Sequence, residues 1–113
     1  MSDTAPNHQL NLRSLKLISN GIKSVEVRVS YPKMRSIQAG HKLTFVSGDD
    51  TVVTRVKRVT EYDSFETLLD HEDPGVIGGD LGESRDELLA VIREIYPPKK
   101  EKLGVLAIQI ERV

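Results

Sequence analysis

Gly21-Ile22-Lys23-Ser24-Val25-Glu26-Val27-Arg28 is the stretch on which the fold turns. It joins a helix stop to a strand start. Leu15, Leu17 and Ile18, closed by Asn20-Gly21, predict a short helix of two turns ahead of it. Gly21 suits the left-handed backbone that ends a helix. Val25 and Val27 then alternate with Glu26 and Arg28, the period of a half-buried strand. Glu26 and Arg28 therefore share the face opposite the two valines, about 7 Å apart at about 3.3 Å per residue. Lys23 lies where the turn meets the strand. Charges held by a rigid strand end suit an anionic or polar ligand.

Upstream, residues 1–9 read as a disordered tail, with Leu10 and Leu12 alternating in a short strand. Residues 10–113 then form a single domain. Downstream, the strand from Val25 runs to Tyr31 and is ended by Pro32. Lys33 to Ala39 reads as a basic loop. A second strand follows Gly40 and runs to Val46, and Ser47-Gly48-Asp49-Asp50 has the chemistry of a hairpin turn. Thr51 to Tyr62 returns as a long strand. Its Val52, Val53, Val56 and Val59 break strict alternation, which predicts a bulge of the kind a curling sheet needs.

Ser64 is placed to cap a helix whose Phe65, Leu68 and Leu69 face the core, and Asp73-Pro74-Gly75 stops it. A glycine-rich loop spans residues 76–82. Ser84-Arg85-Asp86-Glu87 reads as a capping box. Leu88, Leu89, Val91, Ile92 and Ile95 give the next helix its apolar stripe, which Tyr96-Pro97-Pro98 ends. Leu103 to Ile110 is the final strand. Strands dominate the middle and short helices lie between them. The fold class is α+β, a small curved mixed or antiparallel sheet or barrel with short helices at its edges.

A chain of 113 residues is one domain, large enough to bury a core unaided. Cysteine is absent, which excludes disulfides, thiol catalysis and cysteine-bound zinc and suits a reducing compartment. No apolar run approaches the about 20 residues of a membrane span. The first residues lack the basic start and apolar stretch of a signal peptide. The expectation is a soluble cytoplasmic protein with no membrane partner and no cofactor. His8, His41 and His71 are scattered without a paired ligand spacing, so no metal is expected.

The net charge of −1 hides an uneven distribution. Arg13 to Lys42 holds seven Lys or Arg and one acid, Glu26. Glu61 to Glu94 holds eleven acids and only Arg85 and Arg93 as bases. A general nucleic-acid coat would be basic overall. A local basic surface for one phosphate-bearing ligand stays open, as do two solvated faces of opposite sign. The glycines match neither phosphate-loop fingerprint. With 3 Tyr, 2 Phe and no Trp, a stacking platform for long single strands is disfavoured.

Gly21-x-Lys23-x-x-Glu26-x-Arg28 resembles the signature of ASCH domains, small β-barrels related to the PUA fold of RNA-modifying enzymes. Gly40-x-x-Leu43-x-Phe45, Ser64-Phe65-x-x-Leu68-Leu69, Ile95-Tyr96-Pro97 and Gly104-Val105 follow in the family's order. The likeness runs from about Leu10 to Val113 and implies a PUA-like barrel with a charged cleft between barrel and helices. It implies RNA, a nucleotide or a modified nucleoside as partner. One bacterial branch hydrolyses N4-acetylcytidine with a lysine, a threonine and a glutamate. Its lysine matches Lys23, its threonine falls at Glu26, and its glutamate falls near Asp80 or Glu83. Another relative is associated with RNA cleavage.

Three hypotheses follow. The first is an RNA- or nucleotide-binding module acting through Lys23, Glu26 and Arg28. Glu26 can accept from the amino group of a base, and the Arg28 fork can hold phosphate. The second is a metal-independent hydrolase, an amidohydrolase or ribonuclease, with Lys23 and Glu26 as catalytic residues. The third is a protein-interaction domain using the acidic half. Ser84 and Arg85 sit at a helix start that suits either an anion or a simple cap. Tyr96 suits either stacking on a base or packing on the core.

Overall fold

The computed structural model describes residues 5–12, 15–21, 23–77 and 84–113. Its strands form one curled five-stranded sheet in the order β1-β3-β4-β5-β2. β1 (Asn7–Asn11) pairs in parallel with β3 (Lys42–Ser47). The other pairings are antiparallel: β3 with β4 (Asp50–Tyr62), β4 with β5 (Val105–Arg112), and β5 with β2 (Val25–Val29). The fold is α+β, a half-barrel with short helices, in keeping with a PUA-like architecture.

The β3–β4 hairpin turns at Gly48, whose φ of 59° is the left-handed conformation a tight hairpin asks for. Register slips between Val56 and Arg58, so the expected bulge is present. The first strand begins at Asn7, inside the stretch expected to be a tail. No apolar residue marks it before Leu10, and its parallel pairing to Lys42–Val46 is a long-range fact.

Alternation along β5 divides the core in two. Leu106, Ile108 and Ile110 pack on one side with Phe45, Leu43 and Ile18. Val105 and Ala107 pack on the other with Phe65, Leu68, Leu89 and Ile92. Full burial of such side chains is worth about 1.5–3 kcal/mol each. The first cluster fills the concave side of the sheet. The second seats α3 (Phe65–His71) and α5 (Arg85–Ile95) against it.

Both long-helix starts are capped as the sequence indicates. Ser64 accepts from the Thr67 amide at 3.1 Å and Ser84 from the Glu87 amide at 3.2 Å. The α5 stripe is narrower than expected: Leu88, Leu89 and Ile92 are buried, but Val91 and Ile95 are exposed. Val91 is rotated about 100° from the centre of that stripe, and Ile95 lies in the last turn, past the packed region.

The short helices differ from the reading. α1 (Lys16–Ser19) is one turn rather than two. The expected loop after Pro32 holds α2 (Pro32–Arg35), the expected stop after Asp73 holds α4 (Pro74–Ile77), and α6 (Pro98–Glu101) follows Pro97. Each of these three starts at a proline, which is preset for the first helical turn. Among the described residues, no helix is long and apolar enough to cross a membrane.

Candidate functional site

Gly21, with φ 82°, reverses the chain between α1 and β2. The Lys23 amide donates to Leu17 O at 2.9 Å and the Ser24 amide to Val76 O at 2.9 Å. Lys23 is thereby fixed where α1, α4 and β2 meet. Its Nζ donates to Ile77 O at 2.6 Å and pairs with Glu26 Oε1 at 2.9 Å.

Glu26 and Arg28 lie opposite Ile108 and Leu106 of β5, so they face the concave core. Glu26 is 4 % exposed, so β2 is covered on both faces where the alternation predicts a half-buried strand. Arg28 grips its other oxygen, with Nε at 2.9 Å and Nη2 at 2.7 Å from Oε2. Arg28 Nη2 also donates to Asn11 O at 3.1 Å. That bond spans the seam of the half-barrel, because β1 and β2 are its two edge strands.

Burial by itself would raise the Glu26 pKa. The charges and hydrogen bonds of Lys23 and Arg28 outweigh it and hold Glu26 below its ordinary 4.5. The group is a carboxylate with two cations, a surplus of one positive charge. The Lys23 side chain is 13 % exposed and that of Arg28 21 %, so the surplus reaches solvent.

Tyr96 ends α5, and its ring stacks on Phe65 at 5.7 Å between centroids. Burial raises its pKa, while the charge and hydrogen bond of Arg28 act the other way. The structure gives the ring the core-packing place of the two readings. Its ring is packed, and its hydroxyl borders Arg28.

Ser84 and Arg85 do not join this group. Ser84 caps α5, and Arg85 pairs with Asp70 at 2.8 Å and Asp86 at 3.0 Å and donates to Glu66 O at 3.1 Å. Those acids saturate the helix start where an anion was considered. Asp80 and Glu83 lie outside the described residues.

Lys23 also lines a cavity of about 220 Å³ with Ile18, Gly21, Thr54, Ile110 and Arg112. A larger, open depression of about 470 Å³ lies beside α1 at Leu15, Ser19, Asp50 and Thr51 and touches none of the trio.

Two constellations are not visible in the sequence. Arg58 Nη2 and Nη1 hold Glu72 at 2.8 and 3.0 Å, and the Tyr62 hydroxyl donates to Glu72 at 2.5 Å. His8 and His41, scattered along the chain, meet at 2.9 Å between Nε2 and Nδ1 with stacked rings. Pairing of β1 with β3 brings them together across 33 positions, a separation that local spacing cannot reveal. Among the described residues, no three His, Asp or Glu side chains are grouped to hold a metal.

The model of the ASCH domain family matches residues 11–113. The chain belongs to the ASCH domain family. The crystal structure of hypothetical protein PH0355 is similar at 30 % identity and TM-score 0.86, over 95 % of this chain and 99 % of that one. The solution structure of protein PF0455 from Pyrococcus furiosus is similar at 32 % identity and TM-score 0.76, over 95 % and 97 %. An ASCH domain from Lactobacillus crispatus shares the fold at 10 % identity and TM-score 0.60, over 95 % and 79 %. No curated protein matches the chain.

Proposed function

We propose that this ASCH domain binds RNA, with a nucleotide held at Lys23, Glu26, Arg28 and Tyr96. The observation that carries the reading is the surplus positive charge that two part-exposed cations keep around the buried Glu26 at the barrel seam. Stability alone accounts poorly for it, since well-packed apolar residues often serve a core as well as a buried ion pair does. Lysine has three donors and arginine five. Lys23 commits two of its donors, and Arg28 spends Nε and Nη2 on Glu26 and Asn11. Donors remain for a phosphate or a base carbonyl, and the Glu26 carboxylate is fixed beside them to accept from a base amino group.

Binding is favoured over hydrolysis because Glu26 stands where the N4-acetylcytidine branch has threonine, so that position offers a carboxylate instead of a hydroxyl. A short single-stranded RNA titrated by fluorescence anisotropy tests the reading, with Arg28→Gln as the variant. Loss of one charged hydrogen-bonding group is worth about 1.5–3 kcal/mol, about tenfold to a hundredfold in Kd. Absence of saturable binding, or equal affinity in a folded Arg28→Gln protein, overturns it. Cytidine released from N4-acetylcytidine, and lost in Lys23→Ala, would move the assignment to the hydrolase.

A further inference from the structure

Two one-turn helices carry cations that the signature trio does not use. α2 exposes Lys33 and Arg35, and α6 with the residue after it exposes Lys99, Lys100 and Lys102. The first pair belongs to the basic stretch between Arg13 and Lys42. The second group is signalled by the run Lys99-Lys100-Glu101-Lys102 after two prolines.

The fold brings these helices together. Tyr31 is the N-cap residue of α2, and Lys100 Nζ sits 5.7 Å from the centre of its ring. Arg35 Nη2 donates to Leu103 O at 3.1 Å, just beyond α6. The acids nearby are already committed. Glu61 accepts from Ser30 at 2.9 Å and lies 3.6 Å from Arg35. Glu101 is buried, accepts from the Phe65 amide at 3.0 Å, and faces Arg93. Among the described residues, Lys33, Lys99, Lys100 and Lys102 have no carboxylate partner.

This ridge adjoins the signature site. Tyr31 packs against both hydrophobic clusters and shares the second with Tyr96, whose hydroxyl borders Arg28. The line therefore runs from Arg28 through Tyr96 and Tyr31 to Lys100, and Lys33 and Lys99 are exposed on the two helices it joins.

The geometry points to a phosphate track: α2 and α6 hold the backbone of a single-stranded RNA whose end nucleotide enters the Lys23–Glu26–Arg28 site. The inference rests on the RNA-binding reading above and adds the course of the strand. Exposed ammonium groups on one-turn helices suit flexible phosphates, which need charge rather than fixed base edges. The two half-buried tyrosines are too few for a stacking platform, so the track is electrostatic.

Salt dependence tests it. The Kd of a short single-stranded RNA is measured against salt for the wild type, for a Lys33→Ala, Lys99→Ala, Lys100→Ala protein, and for the matching Lys→Arg protein. Each phosphate that a lysine no longer neutralises on a single strand makes the slope of log K against log salt shallower by about 0.7. The triple Ala protein is expected to lose a slope of about 2 and to bind at least about tenfold more weakly at low salt. The triple Arg protein is expected to keep the wild-type slope, and cytidine monophosphate to bind all three alike. An unchanged slope in the triple Ala protein, with RNA still bound, overturns the track and leaves the binding site standing. Equal losses for RNA and mononucleotide also overturn it. A wild type that binds no RNA removes the underlying assignment first.

Discussion

Glu26 and Glu72 are both buried carboxylates clamped by an arginine, on opposite faces of one sheet. Their surroundings differ in one decisive respect. Glu72 answers one cation, Arg58, and a Tyr62 hydroxyl, so its cluster is electrically balanced. Arg58 spends its remaining donors on Thr60 and Gln109, tying the end of α3 to β4 and β5. Glu26 answers two cations, Lys23 and Arg28, drawn from its own stretch of chain, and the surplus faces the barrel seam. A balanced cluster that links distant elements is a staple. An unbalanced one at an edge keeps a charge unspent, and the proposed RNA site makes use of it. Composition alone does not separate them, since each contains Glu, Arg and a nearby Tyr.

The largest expected effect comes from Glu26→Ala. It leaves two cations facing the core without a counterion, and removing one partner of a buried pair costs about 3–5 kcal/mol. Urea denaturation measures it, and a loss below about 1 kcal/mol would erase the contrast between the two acids. Glu72→Ala should cost less, about 1–3 kcal/mol, because the Arg58 side chain is 39 % exposed and can return to water. Its RNA affinity should stay at the wild-type value, and a fall would make Glu72 part of the receptor.

Acid should do gradually what these substitutions do at once. Burial raises the Glu26 pKa, but Lys23 and Arg28 outweigh it. Arg58 hydrogen bonds lower that of Glu72 against burial, with Tyr62 assisting. Both folded values lie below the ordinary 4.5. Their stabilisation is therefore complete above 4.5 and is lost as pH falls through the lower folded values. Melting temperature measured against pH should show a flatter acid limb in Glu26→Gln and in Glu72→Gln than in the wild type. The smallest effect is Ser84→Ala, about 1 kcal/mol for a lost cap with unchanged RNA affinity. Weaker RNA binding there would restore the helix start to the site.

Local chemistry is readable in the sequence and long-range pairing is not. The hairpin at Gly48, the caps at Ser64 and Ser84 and the bulge near Val56 each depend on residues a few positions apart. The helices at Pro32, Pro74 and Pro98 are one turn each, too short to show a 3.6-residue period. Lys23, Glu26 and Arg28 are legible as charges beside one strand. The burial of Glu26 is not, because it depends on lying opposite Ile108, at the far end of the chain. The Arg58–Glu72 staple and the His8–His41 pair are hidden for the same reason.

The placement of β5 has a consequence for how the chain folds. Val105–Arg112 pairs with β4 along one side and β2 along the other, and its alternate residues enter both hydrophobic clusters. Until those eight residues have been synthesised, β2 has no sheet neighbour and neither cluster can close. A chain without β5 carries an unpaired β2 and open apolar surface, the condition in which chaperones are recruited. β5 is thus the strand that joins β2 to the rest of the sheet and closes both clusters.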